Sequence, residues 1–565
     1  MSLKKFRYKK SVVALLIFIV AVFAINAIVS NVIKSKITHL LLKENSKYYT
    51  ASIEDVNFYL LQQSVVINQV FFSPKKESIN ALKVKKLKGN ALKKISVSSI
   101  ELKGIHLFKL LFNSNIKIDY LQLNNVLIQE FKNSKVKLIK PKKKEKFNID
   151  SIYLKKINGF ELNKIKIVNL TYQVTDLSSD EIVFQTSPLN FNVTGFALEE
   201  IGNQYFKLKP VNNSFEIDNI KIDFPDKKYA FSMESMSVNF THNLVTIKKI
   251  NYKPTVDKFA LANTYVYNTA VIGLEVEEIN LYNFNFEKAI ESKGIFADSV
   301  SLNSAKIDIY KDKRKPFDER VYKKLPHVVL KQLKLPVYIP KIKITDSDLI
   351  LKERFEKTDV LLDLTLNNIS ATITNVTSIK KYRNKPLKIK FYSKLMNKSN
   401  LYANMTFPLQ DNTSVFYFNG VLGASKFTYY DKAIFPVLGL KILNGDLDKL
   451  TFKATANNNS ASGEMTMLYH DLEAKVFKPH SAKENKFLSW SVNSVLRESN
   501  PNKHGKVKTV VLNYDRLTYT GFGSYLWKIL QSGITNTLAP TGKTVKKKEE
   551  KKRRKLKRQQ RKINN

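Results

Sequence analysis

The sequence predicts a mostly-β protein: an N-terminal transmembrane helix, then a long meander of antiparallel strands with few short helices. Three observations carry this. Many segments alternate apolar and polar residues, as in Ile116-Lys-Ile118, Leu121-Gln-Leu123, Ile165-Lys-Ile167, Ile220-Lys-Ile222 and Ile342-Lys-Ile344. That period puts one strand face on a core and the other in water. Apolar residues make up 43% and aromatics 11% of the 565 residues, enough for a large core and unlike a disordered chain. Near the amino terminus, residues 11–29 carry no charge at all.

The elements follow in order along the chain. Residues 1–10 carry Lys4, Lys5, Arg7, Lys9 and Lys10. Residues 11–30 are predicted as the membrane helix, with Val12, Leu15, Leu16, Ile19 and Phe23 as anchoring side chains; its uncharged part, residues 11–29, reaches about 29 Å at 1.5 Å per residue, close to the ~30 Å hydrocarbon core. The basic leader keeps the amino terminus cytoplasmic, which places a single-pass protein in the inner membrane with its body in the periplasm. The alternative is a cleaved signal peptide, for which Val22-Phe23-Ala24 is a weak site and the apolar run continues to Ile33. Residues 31–46 continue the helix as a short stalk, and 31–315 form a first β-rich region. Residues 316–336 are a helical and proline connector, amphipathic over Arg320–Leu335 and stopped by Pro336; 337–520 form a second β-rich region. Phe522, Tyr525, Leu526, Ile529, Leu530 and Ile534 then make one apolar stripe of a helix over 521–539, flanked by Trp527. Residues 540–565 are a basic tail with no capacity for a core.

Turn signals between strands are rich in asparagine: Asn124-Asn125, Asn158-Gly159, Asn212-Asn213, Asn419-Gly420, Asn444-Gly445 and Asn457-Asn458-Asn459. Asparagine tolerates the left-handed conformation and can replace glycine, of which there are only 17. An apolar phrase with spacing φ-x-x-φ-x-φ recurs, for example at Ile53/Val56/Phe58, Ile79/Leu82/Val84, Val97/Ile100/Leu102, Ile118/Leu121/Leu123, Ile217/Ile220/Ile222, Val276/Ile279/Leu281 and Ile339/Ile342/Ile344. It is too common in an apolar-rich chain to count as a strict repeat. A second apolar stretch follows within a few residues, as in Asn124-Asn125-Val126-Leu127-Ile128, which reads as strand, turn, strand. At roughly 15 residues per strand and turn, about 33 strands are expected.

The charge is extreme, 94 Lys and Arg against 49 Asp and Glu, or +45. Residues 543–562 hold 13 basic residues, among them Lys552, Arg553 and Arg554. Without both termini the body keeps 76 basic against 47 acidic residues, about +29. Anionic partners suit such a surface: lipid head groups, acidic polysaccharide or nucleic acid, the last disfavoured because the anchor separates the body from it. Abundant Lys, Asn and Ile is also what AT-rich coding produces. Cysteine is absent, so disulfides, thiol nucleophiles and cysteine-ligated metals are excluded. No two of the seven histidines have metal-pair spacing. Tyr469-His470-Asp471 has acid–base residue types, but neighbours on a strand face opposite sides. Asp346 and Asp348 could share a strand face without a visible pocket. Gly542-Lys543-Thr544 lacks the earlier glycine of a phosphate loop, Thr537 standing there. No catalytic residue, cofactor or metal is expected, and no enzyme.

The layout resembles the AsmA-like superfamily of inner-membrane-anchored envelope proteins. The resemblance is carried by Phe416–Gly423, by the apolar run Ala433–Leu438, by Ile442–Phe452 and Ala461–Leu472, and by the strand-opening phrase Leu335–Ser347. These segments cover about a quarter of the chain and are apolar and turn patterns. The resemblance implies a curved, taco-like sheet whose apolar groove binds or passes phospholipid in outer-membrane and envelope homeostasis. On that expectation Phe522, Leu526, Trp527, Ile529, Leu530, Lys552, Arg553 and Arg554 contact a membrane or an envelope partner. The alternative is a non-enzymatic envelope scaffold whose β body packs wholly on itself.

Overall fold

A computed structural model describes residues 22–23, 25–35, 37–38, 47–84, 91–106, 115–133, 152–153, 159–202, 205–224, 226–355, 360–410, 414–438, 440–476 and 497–538. Most of them lie in strands. The mostly-β expectation is met, with few helices and a ladder rich in antiparallel pairs. Residues 1–251 and 252–565 form two compact units. The amino-terminal expectation falls mainly outside the described residues, as does the tail 540–565. No helix among the described residues is long and apolar enough to cross a membrane.

The first unit contains β1 (Tyr49–Tyr59), β2 (Ser64–Pro74), β3 (Ala91–Ile105), β4 (Asn115–Lys132), β5 (Ile152–Tyr153), β6 (Gly159–Asp176), β7 (Glu181–Gln185), β8 (Leu189–Gly202), β9 (Tyr205–Asp223), β10 (Tyr229–Asn239) and β11 (Leu244–Pro254). β1 to β4 pair in sequence order, all antiparallel. β4 then runs parallel to β6, and antiparallel pairing resumes through β8 and β9 to β10. A parallel step needs a crossover of a dozen or more residues, which the segment between β4 and β6 supplies.

The second unit repeats this logic. It holds β12 (Val271–Tyr282), β13 (Ile295–Phe296), β14 (Ser299–Asp312), β15 (Val337–Arg354), β16 (Leu362–Thr377), β17 (Leu387–Leu395), β18 (Ser399–Phe407), β19 (Phe416–Leu422), β20 (Ser425–Lys426), β21 (Leu440–Ala456), β22 (Ser460–Val476) and β23 (Thr509–Asp515). β12 pairs antiparallel with β14, β14 runs parallel to β15, and antiparallel pairing continues through β16, β17, β18, β19, β21 and β22 to β23. The helix of the expected connector is short, Pro326–Gln332, and lies in the crossover between β14 and β15. A pure meander of hairpins is therefore corrected to two antiparallel series, each with one parallel step.

The asparagine signals are corrected as well. Asn124-Asn125, Asn212-Asn213, Asn419-Gly420 and Asn444-Gly445 all lie inside single strands. Only Asn457-Asn458-Asn459, between β21 and β22, separates two strands; Asn158 is outside the described residues. This is why the 23 strands among the described residues are longer and fewer than expected, β9 reaching 19 residues.

What these residues do instead is kink the strand. Asn125, Asn169 and Asn219 have φ of 50°, 58° and 58°, and Gln69 has 50°. At Gln69 the ladder omits one pair: Ile53 faces Val70 and Asp55 faces Asn68, with Glu54 and Gln69 unpaired between them, and at Asn169 the β4–β6 ladder omits two, from Asn124 facing Val168 to Leu127 facing Thr171. The single omission recurs at Ser98 opposite Asn125 and at Asn219 opposite Glu234. The in–out alternation shifts by one residue across the kink: Ala51 and Ile53 face inward before it, Val56 and Phe58 after it. A shift of one turns spacing two into spacing three, which is the physical origin of the φ-x-x-φ-x-φ phrase. The phrase at Ile118/Leu121/Leu123 marks a second line, where Gly104 (φ 66°) stands opposite Asp119. Ile79/Leu82/Val84 is an exception; it belongs to the helix Lys76–Lys83, since i, i+3 is also helical spacing.

Side-chain amides bridge the kinks from strand to strand. Asn169 Nδ2 donates to Asn125 Oδ1 (3.1 Å), Asn169 N–H donates to Asn190 Oδ1 (3.0 Å), and Asn68 Nδ2 donates to Asp55 Oδ2 (3.0 Å). Asp348 Oδ1 likewise accepts the Asn368 N–H (3.0 Å) beside the left-handed Asp346 (φ 49°) and Asn368 (φ 52°). Asp346 and Asp348 are thus backbone-shaping residues.

Replacing Asn125 separates conformation from packing. Asn125→Val forces a β-branched residue into the left-handed region and should cost about 1–2 kcal/mol in chemical denaturation. Asn125→Gly should lie within about 0.5 kcal/mol of the parent. Equal losses for both would show that the amide bridge, and not the backbone angle, is the stabilising element.

Candidate functional site

Cross-strand partners face the same side of a sheet, so the register reads out the composition of each face. In the first unit one row runs Phe58, Val65, Leu102, Leu121, Ile165, Val193, Phe215, Val238, each paired with the next. The adjacent row runs Val56, Ile67, Ile100, Leu123, Ile167, Phe191, Ile217, Met236. Sixteen apolar side chains therefore form an uninterrupted stripe two residues wide across eight strands. At 4.8 Å per strand it is about 34 Å long.

One end of the stripe is covered. Val29, Ile33 and Ile37 of the helix within residues 22–38 pack on Ile53, Val56, Phe58, Val65 and Ile67. Polar contacts fix the helix along β1. Asn26 Oδ1 accepts the Leu60 N–H (3.0 Å), Ser30 Oγ accepts the Phe58 N–H (2.9 Å), and Lys34 Nζ donates to Glu54 O (2.7 Å). An exposed strand edge invites pairing with another chain, and these three side chains occupy it. The helix has a second apolar side: Phe23, Ile25, Ile28 and Val32 are exposed, Phe23 to 70%.

Along the middle of the stripe the side chains are partly exposed. Leu121, Leu123, Ile165, Ile167, Phe191, Val193, Phe215 and Ile217 all retain surface in water. Among the described residues the buried clusters of this unit lie at its β1–β2 end and around Leu82, Leu92 and Leu177.

The second unit carries a comparable row and buries its far end: Phe418, Ala454 and Leu512 are buried, while Leu281, Val300, Ile342, Ile373, Ile389 and Met405 keep partial exposure. The row runs from Leu281 and Val300 through Ile342, Ile373, Ile389, Met405, Phe418, Ala454 and Gly463 to Leu512. Tyr525 and Ile529 of the helix Phe522–Leu538 are fully buried in one cluster with Phe407, Phe416, Phe452, Met465, Tyr469 and Leu512. At Gly533 the helix comes so close that an added Cβ would stand 2.4 Å from Leu512 Cδ2. Burial pushes the Tyr469 and Tyr525 phenols up to about 12.

The expected contact residues divide accordingly. Ile529 is in the core, and Phe522, Leu526 and Leu530 pack against it, so these four are committed to the chain's own fold. Trp527 is 49% exposed. Val12, Leu15, Leu16, Ile19, Lys552, Arg553 and Arg554 lie outside the described residues. The stripe was not assigned in sequence because one register error exchanges the faces. Its signal was the φ-x-φ pair beside each kink: Ile67 before Gln69, Leu123 before Asn125, Ile167 before Asn169 and Ile217 before Asn219.

Acid–base chemistry finds no assembled site at Tyr469-His470-Asp471. Tyr469 is buried and its hydroxyl donates to Arg497 O (2.7 Å). His470 is exposed, with Nδ1 2.9 Å from Asp471 and Nε2 3.5 Å from Asp448. The hydrogen bond to Asp471 and the nearby Asp448 raise its pKa above 6.5. Because the folded value is raised, these ion pairs are complete below pH 6.5 and are lost as pH rises through the folded value. Among the described residues no three metal-ligating side chains gather.

Two outcomes test this account. The His470 ring should titrate above pH 6.5 by NMR, and Asp471→Asn should move it down; an unmoved midpoint would remove Asp471 as the cause. Asn26→Leu with Ser30→Ala leaves two edge amides unpartnered, at about 1–3 kcal/mol each. Faster hydrogen exchange is expected at Phe58 and Leu60 than at the distant β17–β18 ladder. No family model and no curated protein matches the chain.

Proposed function

We propose that the protein is a membrane-anchored lipid-binding protein of the cell envelope, in which the apolar stripe of the first unit holds acyl chains or passes them along. The observation that carries this is the extent of the stripe: sixteen apolar side chains run across eight strands, and the eight on the strands from β4 to β9 all remain partly exposed, whereas the helix Phe522–Leu538 buries the β22–β23 end of the second unit's row. An apolar sheet face needs a cover. Each methylene taken from water contributes about 0.8 kcal/mol, so acyl chains are an adequate one. A length of about 34 Å is roughly twice the depth of one membrane leaflet.

The helix at the covered end supports an anchor. Its outer side presents Phe23, Ile25, Ile28 and Val32, and it continues the uncharged run of residues 11–29. The AsmA-like resemblance points to the same activity, with the body in the periplasm. The buried aromatic cluster of the second unit favours a further role as a rigid scaffold for envelope partners, and that role is the alternative for the whole chain.

Native mass spectrometry of the full chain after gentle extraction should show co-purified phospholipid. Photo-crosslinkers at Ile167 and Ile217 should capture it, and one at Leu512 should not. A body that carries no lipid and labels equally at all three positions would leave only the scaffold.

A further inference from the structure

We propose that a pocket in the second unit binds a phosphate-bearing group. The pocket measures about 620 Å³, within the range of small-molecule sites. Lys324, Lys331, Lys380 and Arg383 line it, together with Leu409 and Ser414. No carboxylate lines it among the described residues. Even counting Asp411, which lies in the chain between two lining residues but outside the described ones, four cations against one carboxylate leave a balance of +3.

The site is built. Arg383 Nη2 donates to Lys331 O (2.8 Å) and to Ser378 O, which fixes the guanidinium between the end of the helix Pro326–Gln332 and the turn after β16. That turn is itself held. Asn375, left-handed at φ 58°, donates to Tyr382 O (3.4 Å) and Lys385 O, and the Tyr382 ring stacks on Tyr338 at 3.9 Å. The Arg383 guanidinium and the backbone that carries Lys380 are therefore held in place by the chain itself. Lys324 Nζ donates to Gln332 Oε1, another lining residue. Below them Leu409 is almost fully buried and Ser414 adds a hydroxyl. Cations that line one pocket repel one another, and a dianion relieves that repulsion. A planar guanidinium beside flexible ammonium groups matches phosphate geometry. The shared chemistry is a phosphate group; its source is either a lipid head group or a free phosphate compound. The assignment stands independently of the stripe, which belongs to the other unit.

The test uses the purified full chain and two probes: inorganic pyrophosphate in titration calorimetry, and flotation with phosphatidylcholine vesicles with or without phosphatidylglycerol. Lys324→Glu with Lys380→Glu reverses two exposed side chains, so folding is retained, as circular dichroism would verify. Lys426→Glu with Lys432→Glu makes the same charge change outside the pocket. The pocket variant should lose roughly tenfold or more in affinity and the control less than about twofold, and added salt should weaken the parent's binding. Loss with both probes assigns the phosphate itself, loss only in flotation assigns a lipid head group, and loss only with pyrophosphate assigns a free ligand. Equal affinities for the two variants, or a parent that binds neither probe, overturn the proposal. Lipid capture at Ile167 and Ile217 would be unaffected by that result.

Discussion

Every strand of a sheet must change face at the same place as its neighbours, and that constraint organises this chain. If one strand shifted its alternation alone, its apolar set would turn to solvent beside a neighbour whose set faced inward. The omitted pairs at Glu54/Gln69, Ser98/Asn125 and Asn219/Glu234 show the shift being made in step. The left-handed residue falls on β2, β4, β6 and β9, and in the parallel pair β4–β6 both strands carry one, Asn125 and Asn169. Asparagine suits the position twice over. It accepts the backbone angle, and its amide reaches the neighbouring kink, as Asn169 reaches Asn125. The result is two apolar rows that stay level across eight strands.

Both units use this device, and they differ in what lies on the rows. In the second unit, aromatic residues fill the space: Phe416 sits 5.5 Å from Phe522 and 6.3 Å from Tyr525. A close approach at Gly533 lets the last helix settle on Met465 and Leu512. In the first unit, the helix within residues 22–38 meets the stripe at its β1–β3 end, where Val56, Phe58, Val65 and Ile67 are buried. A contiguous, partly exposed apolar stripe on a folded chain marks either a binding surface or a liability for aggregation. The polar closure of the β1 edge by Asn26, Ser30 and Lys34 bears on that choice, because it guards the feature most prone to self-association while the apolar face stays open.

Much of this was legible in the sequence, and the gaps have physical causes. Alternation identified strands because it reports burial on one face directly. It miscounted them because Asn124-Asn125 satisfies the local chemistry of a turn and of a kink equally well, and only the pairing partner decides. The parallel steps left no local trace, since β4 and β15 look like any other strand. The helix Phe522–Leu538 was legible as an amphipathic helix from its spacing, but an apolar stripe does not say what it faces; Ile529 faces the chain's own core. The pocket was invisible because Lys324, Lys380 and Arg383 are spread over 60 residues of a chain already dense in lysine.

The two halves of the stripe's surroundings give it a direction. Its β1 end is tied to a helix whose inner side, Val29, Ile33 and Ile37, extends the stripe's own apolar surface, and whose outer side is equally apolar. From that helix to Met236 and Val238 the rows run without a polar interruption. An acyl chain that moved along such a surface would exchange one branched side chain for the next at nearly constant burial, so no single step would carry a large barrier. A charged head group would stay at the margin, in water. Under the proposed function the helix end is therefore where lipid enters or leaves the membrane, and the β10 end is where the unit hands it on. The kinks matter here too: without the shift in step, the rows would break into patches, and each gap would impose the desolvation cost that the continuous stripe avoids.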